Sequence, residues 1–120
     1  MPKILIVDDD VPITELIKTV VSMEGFEPTV VNDSTQAIEV ANLTNPDVIT
    51  IDIMMPKLSG LELCALFHKD PKFSDIPVIF ISAKVDNESK QKAIQAGAAG
   101  FITKPFRIDD LINTIKSLTV

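Results

Sequence analysis

The sequence predicts an α/β domain, a doubly wound (βα)5 parallel sheet, and three observations lead there. Short apolar runs alternate with amphipathic stretches five times along the 120 residues. Three of these runs, residues 4–7, 48–51 and 78–81, are almost continuously apolar instead of alternating. Such runs are strands covered on both faces. Between the runs, apolar residues recur at helical spacing, and strands that alternate with helices imply βαβ units with right-handed crossovers.

The elements follow in order. Residues 3–7 form the first strand, and Asp10 is placed to cap a helix that tolerates Pro12 in its first turn. Ile13, Leu16, Ile17, Val20 and Val21 give that helix an apolar stripe, and Gly25 marks its stop. Residues 27–31 are the second strand, after which Asp33 and Gln36 suggest a capping box for the second helix. Residues 48–51 are the third strand. A long connection marked by Pro56 and Gly60 follows, over residues 53–60; a connection of that length after a strand invites a functional reading. The third helix carries Leu61, Leu63 and Leu66, with Cys64 read as a small packing residue and His68 as a residue without a catalytic partner. Residues 77–82 are the fourth strand, Gly97 closes the fourth helix, and residues 100–103 are the fifth strand. Ile108, Leu111, Ile112 and Ile115 stripe the last helix. Residues 1–120 are read as one domain.

Composition narrows the function. Hydrophobic residues make up 46% of the chain, enough for a core without disulfides or structural metal, and the single cysteine fits a reducing compartment. No apolar segment approaches the ~20 residues of a membrane span, and the first run leads straight into three acids. A cytoplasmic protein is expected. The net charge is −6, with 17 acids against 11 bases, and neither Trp nor Tyr is present. Direct nucleic-acid binding, which needs clustered Lys and Arg or stacking aromatics, is not expected.

Ligands of an open α/β sheet bind beyond the carboxyl ends of its strands, where the strand order reverses. Strand one delivers Asp8, Asp9 and Asp10 there, strand three Asp52, strand four Ser82, and strand five Lys104-Pro105. If the strand order is 2-1-3-4-5, strands one and three are neighbours, and Asp8 and Asp9 meet Asp52. Carboxylates so close repel one another and call for a hard divalent cation; Mg²⁺ suits, since it takes one or two carboxylates and shares a phosphate. Lys104 offers a point charge and Ser82 a hydroxyl to phosphoryl oxygens. These parts support phosphoryl transfer, with a carboxylate able to serve as nucleophile.

Four segments in this order and spacing carry a resemblance. They are Ile4-Leu5-Ile6-Val7-Asp8-Asp9-Asp10; Val48-Ile49-Thr50-Ile51-Asp52-Ile53-Met54-Met55-Pro56-Lys57-Leu58-Ser59-Gly60; Val78-Ile79-Phe80-Ile81-Ser82-Ala83; and Ala96-Gly97-Ala98-Ala99-Gly100-Phe101-Ile102-Thr103-Lys104-Pro105-Phe106. Over essentially its full length the chain resembles the receiver domain of two-component response regulators, the CheY-like family with a flavodoxin-like fold. The resemblance implies strand order 2-1-3-4-5 and Asp52 as the residue phosphorylated by a histidine kinase or phosphotransfer protein. It further implies Mg²⁺ held by Asp8, Asp9, Asp52 and the Met54 backbone carbonyl, with Ser82 and Lys104 on the phosphoryl group. A cis Lys104–Pro105 peptide is expected, and Phe101 matches an aromatic whose rotamer couples to Ser82. The implied output surface is the fourth helix, fifth strand and fifth helix, about residues 87–96 and 101–116. A signalling switch with self-phosphorylation and autodephosphorylation, rather than a turnover enzyme, is the expectation.

Some positions depart from the family pattern. Ser59 stands where an acid is common, Phe101 lacks a hydroxyl, and apolar Met54, with Lys84, matches positions that tune loss of the phosphate. Slow-to-moderate dephosphorylation is expected. Met54-Met55 reads as loop packing. The alternative, a small haloacid-dehalogenase-type phosphatase with Asp8 as nucleophile and Asp10 as acid, lacks the usual hydroxyl residue after the second acid and any cap insertion. A nucleotide- or flavin-binding module lacks a Gly-rich loop after strand one.

Overall fold

A computed structural model describes residues 1–83 and 86–119. Five strands, β1 (Lys3–Val7), β2 (Glu27–Val31), β3 (Val48–Ile51), β4 (Val78–Ser82) and β5 (Gly100–Thr103), form one parallel sheet in the order β2-β1-β3-β4-β5. They alternate with α1 (Val11–Met23), α2 (Ala37–Thr44), α3 (Gly60–Lys69), α4 (Asn87–Gln95) and α5 (Ile108–Ser117). The fold class and strand order expected from the sequence are those observed.

The apolar strands lie where their composition demands. Every residue of β3 and β4, and residues 4–7 of β1, are buried. Alternate side chains of these strands feed two cores. Leu5, Val7, Ile49, Ile51, Val78 and Phe80 pack with residues of α2, α3 and α4. Ile4, Ile6, Val48, Ile79 and Ile81 pack with Ile17 and Val21 of α1 and Leu111, Ile112 and Ile115 of α5. Helices therefore cover both faces, which is what a central parallel strand requires. The edge strands are less buried, and Pro28, which has no N–H to donate, sits in edge strand β2.

Asp10 caps α1 by accepting from the Ile13 N–H at 3.3 Å, and Pro12 lies in the first turn, as expected. The α1 stripe is displaced, because Leu16 is exposed and the buried polar residue Thr14 takes its place. Thr14 is satisfied there: its hydroxyl donates to the Val11 carbonyl and accepts from Asn32. Ile108 is likewise exposed at the start of α5. The proposed Asp33–Gln36 capping box gives way to a 3-10 turn over Ser34–Gln36, in which Asp33 accepts from the Thr35 N–H instead. A capping box does form at α3, between Ser59 and Glu62. Its signature, Ser followed three residues later by Glu, was legible but hidden inside the connection assigned to function.

Two glycines are demanded by geometry. Gly97 turns the chain out of α4 at φ 97°, and a Cβ there would lie 2.7 Å from the His68 ring. His68 thus sits against the turn entering β5, at the end of the sheet opposite Asp52, in keeping with a packing role. Cys64, also on α3, is buried and donates to the Ala96 carbonyl; burial pushes its thiol up to about 11, so it carries no thiolate chemistry at neutral pH. Gly60 starts α3 against the end of β3: a Cβ there would overlap the Asp52 carbonyl oxygen and stand 2.8 Å from the Ile53 Cα. Backbone atoms cannot yield as a flexible side chain can. Gly60→Ala should therefore destabilise the domain by about 1–3 kcal/mol or more, as an overpacked core does. Gly25→Ala meets nothing within 4 Å and carries only the strain of φ 88°, so about 1 kcal/mol is expected there. Urea denaturation of the two variants checks that order.

Candidate functional site

Four of the five strands end in the residues that matter. The β1–β3 ladder pairs Val7 with Ile51. The next residues, Asp8 and Asp52, are thereby set side by side, and the Asp52 N–H donates to the Val7 carbonyl at 3.0 Å. On the far side, β4 and β5 pair Ser82 with Thr103, and the Lys104 N–H donates to the Ser82 carbonyl at 2.9 Å. Lys104–Pro105 is a cis peptide, as expected.

The side chains converge. Asp8, Asp9 and Asp52 each offer a carboxylate oxygen, and these atoms lie within 4.8 Å of one another. Lys104 Nζ is 2.8 Å from Asp8 Oδ2 and 3.6 Å from Asp52 Oδ2. Asp8 and Ser82 are almost fully buried and Asp52 nearly so, while Asp9 is exposed. Asp8 Oδ1 also accepts from the Asp10 N–H, at 3.0 Å. At the full 4.8 Å separation, two unit charges repel by about 3–4 kcal/mol at an effective dielectric of 20. The ammonium offsets part of this. Three carboxylates against one ammonium leave two negative charges on the cluster.

The Asp52 carboxyl registers that imbalance. Burial and then the charge of Asp8 raise its pKa from 3.8 to about 6, against the opposing pull of Lys104 and of a hydrogen bond from the Met54 N–H. For Lys104, burial lowers the pKa, but its bond to Asp8 and the charges of Asp8, Asp52 and Asp10 outweigh that, and the net shift is upward. The donor set is oxygen only, anionic and under-neutralised, and so it fits a hard divalent cation such as Mg²⁺ and no soft metal.

Asp8, Asp9, Asp52, Ser82 and Lys104 lie at the same, carboxyl end of the sheet. Phe101 is half-buried in β5 beside the core, with the Lys90 ammonium 5.9 Å from its ring centre. The Met54-Met55 pair splits: Met55 packs in the core, whereas Met54 is 61% exposed, contrary to a shared packing role. Lys84 lies outside the described residues. What sequence reading missed is the neighbouring loop of residues 32–35. Asn32 donates to the Asp8 carbonyl at 2.9 Å, Ser34 Oγ to the Pro56 carbonyl at 3.3 Å, and Asp33 pairs with Lys57 at 3.6 Å. Polar residues after an edge strand gave no signal beyond helix capping.

The fold and the strand-end acids define a class: open α/β domains that gather carboxylates and a lysine at the switch point of a 2-1-3-4-5 sheet. Residues 4–116 match the response regulator receiver domain, and the chain belongs to that family. Among curated relatives, the phosphate regulon transcriptional regulatory protein PhoB of Klebsiella pneumoniae is 34% identical over 97% of this chain and 51% of its own. The DNA-binding response regulator MtrA of Mycobacterium tuberculosis (strain ATCC 25618 / H37Rv) is 31% identical over 96% of this chain and 49% of its own. The chain thus spans about half the length of the curated relatives it matches. Among solved structures, the receiver domain of the Francisella response regulator 1452 is 39% identical with a TM-score of 0.91, covering 99% of this chain and 97% of that one. The chemotaxis protein CheY4 of Vibrio cholerae is 27% identical with a TM-score of 0.94, covering 98% of each chain. Receiver domains are signalling switches, and the phosphatase alternative is not favoured by any of these relatives.

A raised carboxyl pKa has a stability signature. With its folded pKa near 6 and its ordinary value at 3.8, Asp52 costs little below pH 4, progressively more between pH 4 and 6, and a constant amount above that. Metal-free Asp52→Asn should therefore be more stable than the native protein at pH 7.5 by about 1–3 kcal/mol, and equal to it near pH 4. Urea melts in EDTA at the two pH values measure this; a constant difference between them contradicts the reading.

Proposed function

We propose that the chain is a phospho-acceptor switch in which Asp52 takes a phosphoryl group from the phosphohistidine of a histidine kinase or phosphotransfer protein. The observation that carries this reading is the convergence of Asp8, Asp9 and Asp52 within 4.8 Å, with the Lys104 ammonium on Asp8 and Asp52. An Asp52 carboxylate oxygen attacks phosphorus, the P–N bond breaks, and the imidazole leaves with the bond's electron pair and takes up a proton. The product is an aspartyl phosphate.

This chain's residues position and neutralise; they need no further covalent chemistry. Asp8, Asp9, Asp52 and the Met54 carbonyl would hold Mg²⁺, which when bound supplies charge to the phosphoryl oxygens. The Met54 N–H orients the attacking carboxylate. Lys104 exchanges its carboxylate partners for the new phosphoryl oxygens, and the Ser82 hydroxyl bonds another. Movement of Lys104 and Ser82 is then the change that the rest of the fold can read, because only contacts that differ between two states shift their populations.

Phe101 is the proposed relay. Phe101 lines an open hollow of about 470 Å³ with Pro105, Phe106 and Asn113, and another of about 310 Å³ with Lys90, Ala93 and Ile94. A rotation of the ring redistributes volume between them and reshapes the α4-β5-α5 face, on which Ile94 is 71% exposed. That face is the proposed output surface, for a separate protein or for a further domain. No helix among the described residues is long and apolar enough to cross a membrane, and the proposed site of action is the cytoplasm.

Intact-mass analysis with a small acyl-phosphate donor tests the proposal. The native protein should gain one phosphate only with Mg²⁺, Asp52→Ala none, and Asp8→Ala less than about a tenth of the native rate. Labelling that survives Asp52→Ala overturns the assignment, and labelling abolished only by Asp8→Ala restores the phosphatase reading. The apolar Met54 side chain orients no water, so the adduct should outlast several seconds after the donor is removed.

A further inference from the structure

We infer that Ser34, on the loop after β2, is a positioning residue that sets the affinity of the acidic site for its cation by anchoring the connection between β3 and α3. This inference rests on the phospho-acceptor reading. It adds a residue from a different loop to the machinery.

The connection carries Met54, whose N–H bonds the Asp52 carboxylate. Its near end is fixed, because the Asp52 N–H is held by Val7 and the Gly60 N–H donates to the Ile53 carbonyl at 2.9 Å. On its far limb Met55 packs in the core and Leu58 against it, but Pro56 and Lys57 between them are exposed. Asp9, Ser34, Met55 and Pro56 are among the residues around a cavity of about 170 Å³ beneath it. Packing alone therefore does not determine where the turn at Pro56 and Lys57 sits.

Polar contacts do. Ser34 is 3% exposed and its hydroxyl donates to the Pro56 carbonyl at 3.3 Å. The same carbonyl accepts from the Leu58 N–H at 2.8 Å, closing a three-residue turn around Lys57. Lys57 sits at φ 67°, an unfavourable conformation for a residue with a Cβ, and a tight turn of this kind is strained. Strain persists only where surrounding contacts over-determine it. Here they come from one loop: the Ser34 hydroxyl, and Asp33, which pairs with Lys57 at 3.6 Å while its other oxygen is fixed by the Thr35 N–H and hydroxyl. The Asp33–Lys57 pair is largely exposed and screened, and contributes little. Ser34, buried, is the anchor. Removing it releases the turn and lets the Met54 peptide drift from the position that the carboxylates need, although the Pro56 carbonyl keeps its bond from Leu58 and the fold survives.

The test compares native protein, Ser34→Ala, Ser34→Gly and, as a control for general destabilisation, Ile115→Val in the far core. Mg²⁺ alone is titrated, followed by amide ¹H–¹⁵N shifts, with Tm measured in parallel. Both Ser34 variants should bind Mg²⁺ about three- to tenfold more weakly, the worth of one neutral hydrogen bond, and the Met54 amide should shift before any metal is added. Ile115→Val should lower Tm and leave affinity unchanged. Equal affinity in the Ser34 variants, or equal weakening in Ile115→Val, overturns the inference while leaving the phospho-acceptor reading intact. A native protein that binds no Mg²⁺ at millimolar concentration overturns both.

Discussion

The mutual repulsion of carboxylates on adjacent strand ends is the constraint on which the rest of the structure depends. Parallel strands deliver successive residues at one level, and the β1–β3 register leaves Asp8 and Asp52 no means of avoiding each other. Gly60 seals the arrangement, since α3 begins so close to the Asp52 carbonyl that no side chain fits between them. A rigid backbone thus holds an electrostatically unfavourable cluster in place. Such sites are paid for by the stability of the surrounding core and respond strongly to any ligand that supplies positive charge.

Lys104 is the internal response to that cluster. It leans on Asp8 more closely than on Asp52, and the two bonds cannot neutralise three carboxylates. Its backbone is tied to Ser82 through β5–β4 pairing, which sets the two residues side by side at the site. The half-buried Phe101 on the same strand lines hollows shared with residues of α4 and of α5. In the proposed switch, a charge added at Asp52 is read at that face through this strand.

Much of this was legible in the sequence because it depends on strand ends. Continuous apolar runs marked β1, β3 and β4, and each ended on a polar residue that became part of the site. The residues at the ends of β4 and β5, Ser82 and Lys104, were found by the same logic. Helix faces were read less well. Leu16 fits the period of α1 yet faces solvent, because the hydroxyl of Thr14 finds both a carbonyl and the Asn32 amide and can be buried. The loop of residues 32–35 left no pattern either: its contribution lies in contacts across more than twenty residues, such as Ser34 to Pro56, and neither periodicity nor capping rules report on those. Met54 and Met55 look alike in sequence and separate only when the turn is seen, one buried and one exposed.

The central claim is that one divalent cation is shared by Asp8, Asp9 and Asp52 opposite a phosphoryl group held by Lys104. A crystal structure grown with Mg²⁺ and beryllium fluoride, which mimics the phosphoryl group on a carboxylate, examines it directly. The account predicts a single Mg²⁺ about 2.1 Å from oxygens of Asp9 and Asp52, fluoride on Asp52, and Lys104 Nζ moved from Asp8 onto the fluoride. A cation bound elsewhere, or Lys104 still paired with Asp8 beside a modified Asp52, contradicts it.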